Sequence, residues 1–153
     1  AGSNGFAIHF ASSELAVPTQ DRSELAAAIP EDYASGLGMV RLWLERGGCP
    51  LADGIHSLEA LAAQGDPRAL NVITDAAGMG GRLIAQIVNR LDQKKIMLGG
   101  GLGCSTGAYH SHLESEIRAH IWEQSCTDMP IIMAGLGESA GIIGAALAAV
   151  PPE

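Results

Sequence analysis

Hydrophobic positions recur every three or four residues along one long segment of this chain. Asp66 is a suitable N-cap, and Pro67 stands at the first helical position, where its missing N–H costs nothing. The spacing that follows predicts a helix of about six turns, from Pro67 to about Leu91, with one continuous apolar face. Small residues in the middle of that face predict close packing against a second helix. The positions that form the face are Leu70, Ile73, Ala77, Gly80, Ile84, Ile87 and Leu91.

Shorter apolar runs predict further elements on both sides of this helix. Residues 33–46 have helical spacing and stop at Gly47-Gly48, and residues 57–63 predict a short helix with Ser57 as its N-cap. Residues 6–10 and 15–17 predict a pair of edge strands, and residues 23–28 a loop or short helix. The alternation of the remaining segments predicts an α/β fold with parallel strands. These segments are a strand at 96–98, a helix at 107–124, a strand at 131–134 and a helix at 139–150.

Both downstream strands run directly into glycine. Gly99, Gly100 and Gly101 follow the strand at 96–98, and a second glycine-rich segment follows the strand at 131–134. Glycine has no Cβ and can adopt positive φ, so a strand that ends this way lets the backbone approach a ligand closely. Two such units favour a nucleotide- or sugar-binding lobe, and a tight turn is the structural alternative for each. The first unit is not a P-loop, and Cys104 stands where the third glycine of a dinucleotide fingerprint belongs.

Composition limits the class of protein. The sequence of 153 residues has the length of one domain, and its hydrophobic fraction of 47% excludes disorder. No uninterrupted apolar run reaches the roughly 18 residues that a membrane span needs, and no secretion signal is visible. The formal net charge of -8 disfavours direct contact with nucleic acid. We therefore expect a cytoplasmic protein.

Cysteine and histidine patterns predict no metal site. The three cysteines are widely spaced and form no C-x-x-C pair, which fits reduced thiols. His110 and His112 are two residues apart and so point to different faces of a helix. Together with His120 we interpret them as surface histidines, and Glu114 with Arg118 as an ordinary i,i+4 ion pair.

Four segments together resemble one family. Residues 66–70, the long helix, residues 96–102 and residues 134–146 match, in order and spacing, the C-terminal half of the ROK family of bacterial repressors, open reading frames and sugar kinases. The resemblance implies an actin-like, ribonuclease H-like ATPase fold, in which two α/β lobes hold sugar and ATP between them. It implies that residues 33–153 form the C-terminal lobe and that residues 1–32 are a partial edge of it, a remnant of the sugar and zinc motif region. The chain lacks an initiator Met, and we expect a fragment whose catalytic aspartate lies upstream of Ala1.

The resemblance also assigns candidate binding residues. Gly99, Gly100 and Gly101 would face the adenosine side of a nucleotide pocket, so ATP is the cofactor if the protein is a kinase. Glu31 stands at the position of a glutamate that contacts the sugar, and Ser3 at the position of another. No catalytic residue is assigned within this chain.

Departures from the family pattern fall in the sugar and zinc motifs. The family motif Ala-Gly-Glu-x-Gly-His aligns with residues 1–6, where Ser3 replaces the sugar-binding glutamate and Phe6 replaces the histidine that binds sugar and zinc. The cysteine-rich zinc loop is missing too, because no cysteine precedes Cys49. A zinc site needs about four ligands, so we expect no zinc. Loss of a carboxylate and an imidazole also removes charge-assisted hydrogen bonds to sugar hydroxyls.

Three functions are consistent with these features. The departures favour the effector-sensing and oligomerisation lobe of a ROK-type transcriptional regulator, which would bind a sugar or sugar phosphate and reach DNA only through an upstream domain. The alternative is the C-terminal half of an ATP-dependent, glucokinase-like sugar kinase, and a third is a purely structural dimerisation module. We expect a homo-oligomer in which the helix at 33–46 makes contact through Trp43 and Leu44, unless Trp43 closes the core.

Overall fold

The computed structural model describes residues 30–91, 93–122 and 127–149, and within them the side chains of Pro30, Glu31 and Glu138 are left undescribed. The elements predicted at 6–10, 15–17 and 23–28 lie outside these residues. None of the described helices is long and apolar enough to span a membrane. The elements are α1 (Pro30–Ala34), α2 (Gly36–Glu45), α3 (Gly54–Ala63), α4 (Pro67–Leu91), β1 (Ile96–Leu98), α5 (Gly100–Gly103), α6 (Ala108–Ala119), β2 (Ile131–Met133), a 3-10 turn (Gly137–Ser139) and α7 (Ala140–Ala148).

The long helix α4 begins and ends where the sequence predicts. The Asp66 Oδ1 atom accepts hydrogen bonds from the backbone N–H groups of Arg68 at 2.8 Å and Ala69 at 3.2 Å. These bonds satisfy donors that have no partner within the helix, which is what an N-cap does. The predicted N-cap and bounds are thus confirmed.

The buried face of α4 matches the prediction in its middle and departs from it at the ends. Ile73, Ala77 and Gly80 are buried, whereas Leu70 and Leu91 are 36% and 46% exposed. The predicted stripe repeats every seven residues, and in a straight helix such a stripe drifts by about 20° per heptad. A straight helix therefore cannot bury both ends of a stripe that is three heptads long. Ile84 and Ile87, between the middle and the C-terminal end, are half-buried.

Two of the shorter helices have other bounds than predicted. The segment at 33–46 is two helices, because the Ser35 hydroxyl accepts a hydrogen bond from the Gly38 N–H at 2.9 Å and starts α2 as its N-cap. Gly47, with φ of 79°, ends that segment as predicted. The helix predicted from Ser57 begins earlier, at Gly54, and the Ser57 hydroxyl accepts a hydrogen bond from the Asp53 N–H at 3.0 Å.

The helix predicted over 107–124 is also shorter in the structure. α6 ends at Ala119, with His120 as its C-cap. The Asn89 side chain of α4 donates a hydrogen bond to the His120 carbonyl at 2.9 Å and accepts one from the Trp122 N–H at 3.0 Å. A tertiary contact therefore ends this helix, and no local sequence signal encodes it. The C-terminal helix likewise begins after a 3-10 turn, at Ala140.

The two described strands pair in parallel, which confirms the predicted α/β arrangement. Ile96 lies opposite Ile131 and Leu98 opposite Met133. On one face of this sheet Leu98 is buried in the core, whereas Met97 on the other face is 63% exposed. The helical layer formed by α3, α4 and α6 covers the first face through the cluster of buried residues.

The crossing of α4 and α6 is close because glycine replaces side chains at the contact. A Cβ on Gly81 would lie 2.5 Å from the Glu116 Cβ and 3.1 Å from the Leu113 carbonyl oxygen. Real Cβ atoms do not approach other atoms so closely. The prediction that small residues permit a close helix crossing is thus confirmed.

Trp43 closes the core and is not a surface anchor. Its side chain is 3% exposed, and its Nε1–H donates a hydrogen bond to the Cys49 carbonyl at 2.7 Å. The Arg68 guanidinium covers the ring at 4.9 Å from its centroid, an arrangement typical of cation–π contacts. The proposed contact through Trp43 is therefore wrong, and Leu44, which is 45% exposed, remains available.

Candidate functional site

The carboxyl ends of β1 and β2 bring the two glycine segments together. The Ala134 N–H donates a hydrogen bond to the Leu98 carbonyl at 2.7 Å, which continues the strand pairing to this edge of the sheet. Gly99 and Ala134 are therefore neighbours, and a Cβ on Gly99 would lie 3.7 Å from the Ala134 Cβ. In parallel α/β sheets, ligands bind beyond the carboxyl ends of the strands.

The first glycine segment folds into a turn that requires glycine at defined positions. Gly100 has φ of 77°, in the left-handed region that residues with a Cβ avoid. A Cβ on Gly103 would lie 3.1 Å from the Leu98 carbonyl carbon, so the short helix α5 lies directly on the end of β1. Gly99, Gly100 and Gly101 therefore present exposed backbone.

The second glycine segment lies beside the first. The 3-10 turn at Gly137–Ser139 contacts α5, and Gly137 has φ of 51°. Cys104 lies between the two segments, with its Sγ 3.9 Å from the Leu98 carbonyl oxygen and 3.8 Å from the Ala134 carbonyl oxygen. The structure thus joins the two glycine motifs that the sequence shows 30 or more residues apart.

A cleft of about 470 Å³ opens beside the first segment. Its walls combine glycine backbone with apolar side chains, and among the described lining residues the charged one is Lys95, which precedes β1 at the opposite end from the glycines. Such a surface suits a flat, mostly uncharged group such as a nucleoside better than a chain of phosphates. The lining residues are Ala34, Ser35, Gly80, Ile84, Ile87, Val88, Leu91, Gln93, Lys95–Leu98, Gly99–Gly103, Tyr109 and Leu113.

The candidate sugar-binding residues are placed only in part. Glu31 lies in α1, and the last residue of that helix, Ala34, lines the cleft. The Glu31 side chain is not among those described. Ser3 and Phe6 lie outside the described residues. Among the described residues, no group of three or more histidine, cysteine, aspartate or glutamate side chains could hold a metal ion.

Two of the three histidines in and after α6 are less exposed than the sequence suggests. His110 and His112 are half-buried, and His120 is exposed. The His110 Nδ1 atom is buried without a hydrogen-bond partner in the described part of the chain. The ion pair between Glu114 and Arg118, at 2.8 Å, is confirmed.

One cleft residue escaped the sequence analysis. Tyr109, in the first turn of α6, is 5% exposed and lines the cleft, and burial raises its pKa to about 12. Its spacing to Leu113 and Ile117, which are also buried, marks the inner face of α6 and could have identified it as buried. The glycine loop that precedes Tyr109 is a stronger indication of a ligand site in the sequence than Tyr109 itself.

A profile of the ROK family matches residues 28–150 of this chain. The chain belongs to the ROK family. It is 33% identical over 117 residues to the bifunctional enzyme NanE/NanK of Brucella melitensis, a match that covers 76% of this chain and 21% of that enzyme. Over the same length it is 32% identical to the N-acetylgalactosamine kinase AgaK of Shewanella sp. (strain ANA-3), of which it covers 37%.

Solved ROK structures share the fold. The ROK hexokinase of Thermus thermophilus superimposes with a TM-score of 0.65 at 29% identity, over 78% of this chain and 40% of that one. A ROK family glucokinase from Streptomyces griseus, in complex with glucose and AMPPNP, superimposes with a TM-score of 0.60 at 25% identity, over 78% and 44%. The chain thus has the α/β fold of ROK sugar kinases, and it spans less than half the length of each of these proteins.

Proposed function

We propose that this chain is the nucleotide-binding part of an ATP-dependent sugar kinase. The observation that carries the proposal is the exposed backbone of Gly99, Gly100 and Gly101 beside a cleft with little charge. Three of the similar proteins named above are kinases of sugars by name, which supports the kinase alternative over the regulator that the sequence departures favoured.

Each candidate residue has a role in this proposal. The backbone of Gly99, Gly100 and Gly101 approaches the adenosine part of ATP, where a side chain would block contact. Glu31, in α1 three residues before the cleft residue Ala34, would accept hydrogen bonds from sugar hydroxyls. Residues 33–153 would form the C-terminal lobe, and the general base would lie in residues that precede Ala1.

An assay of the intact protein, with all residues that its gene encodes, tests the reaction. Release of ADP from ATP is measured with glucose and with N-acetylgalactosamine, the sugars that two relatives are named for. We expect ADP release that depends on one of these or a related sugar. If no sugar of this class promotes ADP release, the proposed reaction is wrong.

A pair of glycine substitutions tests the nucleotide site. Gly100 and Gly47 have φ of 77° and 79°, and a Cβ on either would meet no atom of the described residues within 4 Å, so alanine strains both backbones alike. Gly100 borders the cleft and Gly47 does not. Because strain of this kind is worth about 1–3 kcal/mol, we expect Gly100→Ala to raise the KM for ATP about fivefold or more. Gly47→Ala should leave it unchanged, and an equal effect of both would contradict the assignment.

The regulator remains a second candidate on one observation. By the resemblance to the family, Ser3 and Phe6 would stand where it has a glutamate and a histidine, so the strongest sugar contacts of a kinase would be absent. If the protein is a regulator, titration calorimetry would detect sugar binding to the intact protein while no ADP is released. Binding of the intact protein to DNA would then require a domain upstream of Ala1.

We also propose that the protein acts in the cytoplasm as a homo-oligomer. With Trp43 in the core, the exposed side of α2, which carries Leu37 and Leu44, is the candidate contact surface. Sedimentation of the intact protein and of a Leu37→Asp variant would show whether association depends on this helix.

A further inference from the structure

Three helices meet at Gly80, beside the cleft. A Cβ on this residue of α4 would lie 3.2 Å from the Leu113 Cδ1, 3.4 Å from the Tyr109 hydroxyl oxygen and 3.8 Å from the Ala34 Cβ. Helices α1, α4 and α6 therefore approach one another where α4 has no side chain. All four residues line the cleft, so this junction forms part of its wall.

The Tyr109 hydroxyl group links two of these helices. Its O–H donates to the carbonyl oxygen of Ala34 at 3.4 Å, and the side chain is 5% exposed. Ala34 is the last residue of α1, where a carbonyl has no partner within its own helix. Because burial raises the pKa of Tyr109 to about 12, the phenol keeps its proton at neutral pH and remains a donor.

The contact is longer than a closed O–H···O hydrogen bond, which spans about 2.5–3.0 Å. Hydrogen bonds at functional sites are often long without ligand and shorten in the complex. A small movement of α1 toward α6 would close this one. The same movement would draw α1 closer to α4 and α6 in this part of the cleft wall.

We propose that Tyr109 is a positioning residue whose hydroxyl group holds the end of α1 against α6 and tightens this contact when ligands fill the cleft. This inference rests on the proposed function, because Glu31, the candidate sugar-binding residue, lies in α1 about one turn before Ala34. α6 follows the glycine loop of the nucleotide side. One side chain therefore connects the helix that holds the candidate sugar-binding residue with the helix that follows the glycine loop.

If Tyr109 contributed only packing, loss of its hydroxyl group would have no effect on the cleft. Tyr109 shares the inner face of α6 with Leu113 and Ile117, and a phenylalanine would keep that packing. Tyr109→Phe removes the hydroxyl group alone, so it separates positioning from packing. Tyr33→Phe is the matched control, because Tyr33 is a half-buried tyrosine of α1 whose hydroxyl group bonds to no described residue.

Hydrogen exchange of the intact protein is the primary measurement. We expect Tyr109→Phe to speed exchange at residues 30–38 and to abolish the extra protection that a sugar plus a non-hydrolysable ATP analogue gives wild type there. Tyr33→Phe should behave like wild type. Unchanged exchange in Tyr109→Phe, or an equal change in Tyr33→Phe, would overturn the inference.

Kinetics of the same variants supply the second readout. Loss of one hydrogen bond should raise the KM for the sugar about threefold to tenfold, while the KM for ATP stays unchanged. An equal rise in both constants, or a rise in neither, would show that Tyr109 does not position the sugar side. A wild-type protein without kinase activity would refute the proposed function, whereas the exchange experiment would still decide the role of Tyr109.

Discussion

Replacing Gly81 with alanine should destabilise the protein although alanine is the better helix former. Gly81 lies in the middle of α4, where α6 crosses it. In a helix interior, alanine is favoured over glycine by roughly 1 kcal/mol. An effect of the opposite sign therefore has to come from the helix contact.

The structure gives the size of that opposing effect. The new Cβ would lie 2.5 Å from the Glu116 Cβ, whereas carbon atoms pack best at about 3.5–4.0 Å. It would also lie 3.1 Å from the Leu113 carbonyl oxygen and 3.2 Å from the Ile117 nitrogen, which are backbone atoms and cannot rotate away. Helix α6 would have to move by about 1 Å, and overpacking of this kind costs about 1–3 kcal/mol or more. Because the clash includes backbone atoms, the cost falls in the upper part of this range, about 2–3 kcal/mol, and after the gain in propensity we expect a net loss of about 1–2 kcal/mol.

Gly78→Ala is the matched control in the same helix. A Cβ on Gly78 meets the Arg82 Nη1 at 3.3 Å, the end of a flexible side chain that can move aside. We therefore expect Gly78→Ala to be neutral or to stabilise the protein by up to about 1 kcal/mol. Urea denaturation of the intact protein measures both changes, and a Gly81→Ala variant as stable as wild type would refute the reasoning from close helix approach.

Two further predictions follow from local chemistry. Asp66→Ala should lower the free energy of unfolding, measured by urea denaturation, by about 0.5–2 kcal/mol. Asp53→Ala should lower it less, because the Asp53 side chain makes no capping hydrogen bond to α3. Equal losses in the two variants would contradict a stabilising role of the Asp66 hydrogen bonds. Elemental analysis of the purified protein should find no stoichiometric zinc, because the resemblance to the family would put Phe6 at the position of a zinc-binding histidine and this sequence has no cysteine before Cys49. One zinc per chain would contradict this.

Elements whose signals lie within the element itself could be predicted from the sequence. The Asp66-Pro67 start and the long apolar stripe give α4 its bounds, and the apolar run before Gly99 marks β1. Capping, proline geometry and periodicity act over one or two turns, so a single sequence contains them. The glycine loop, as the place where a ligand could approach, could be identified for the same reason.

Features set by contacts between distant segments could not be predicted. The Asn89 side chain ends α6 from another helix, and the Tyr109 hydroxyl group meets Ala34 across 75 positions of the chain. The cleft itself forms where α4, β1 and α6 meet. No local sequence pattern encodes these contacts, because each residue that makes them is typical of the helix or strand in which it lies.

Glycine has two separate roles in this chain, and the sequence distinguishes them only through the element that holds each residue. At Gly81 the absence of a Cβ permits a close helix crossing, and at Gly100 a positive φ shapes the loop while a Cβ would meet open space. In the sequence Gly81 lies within the predicted helix at 67–91, whereas Gly100 follows the predicted strand at 96–98. The two roles predict opposite effects of alanine: Gly81→Ala should lower the free energy of unfolding through the core, whereas the effect of Gly100→Ala should be greatest on ligand affinity at the cleft. The stability of this protein and its candidate binding site therefore depend on different glycines, and substitutions can alter one without the other.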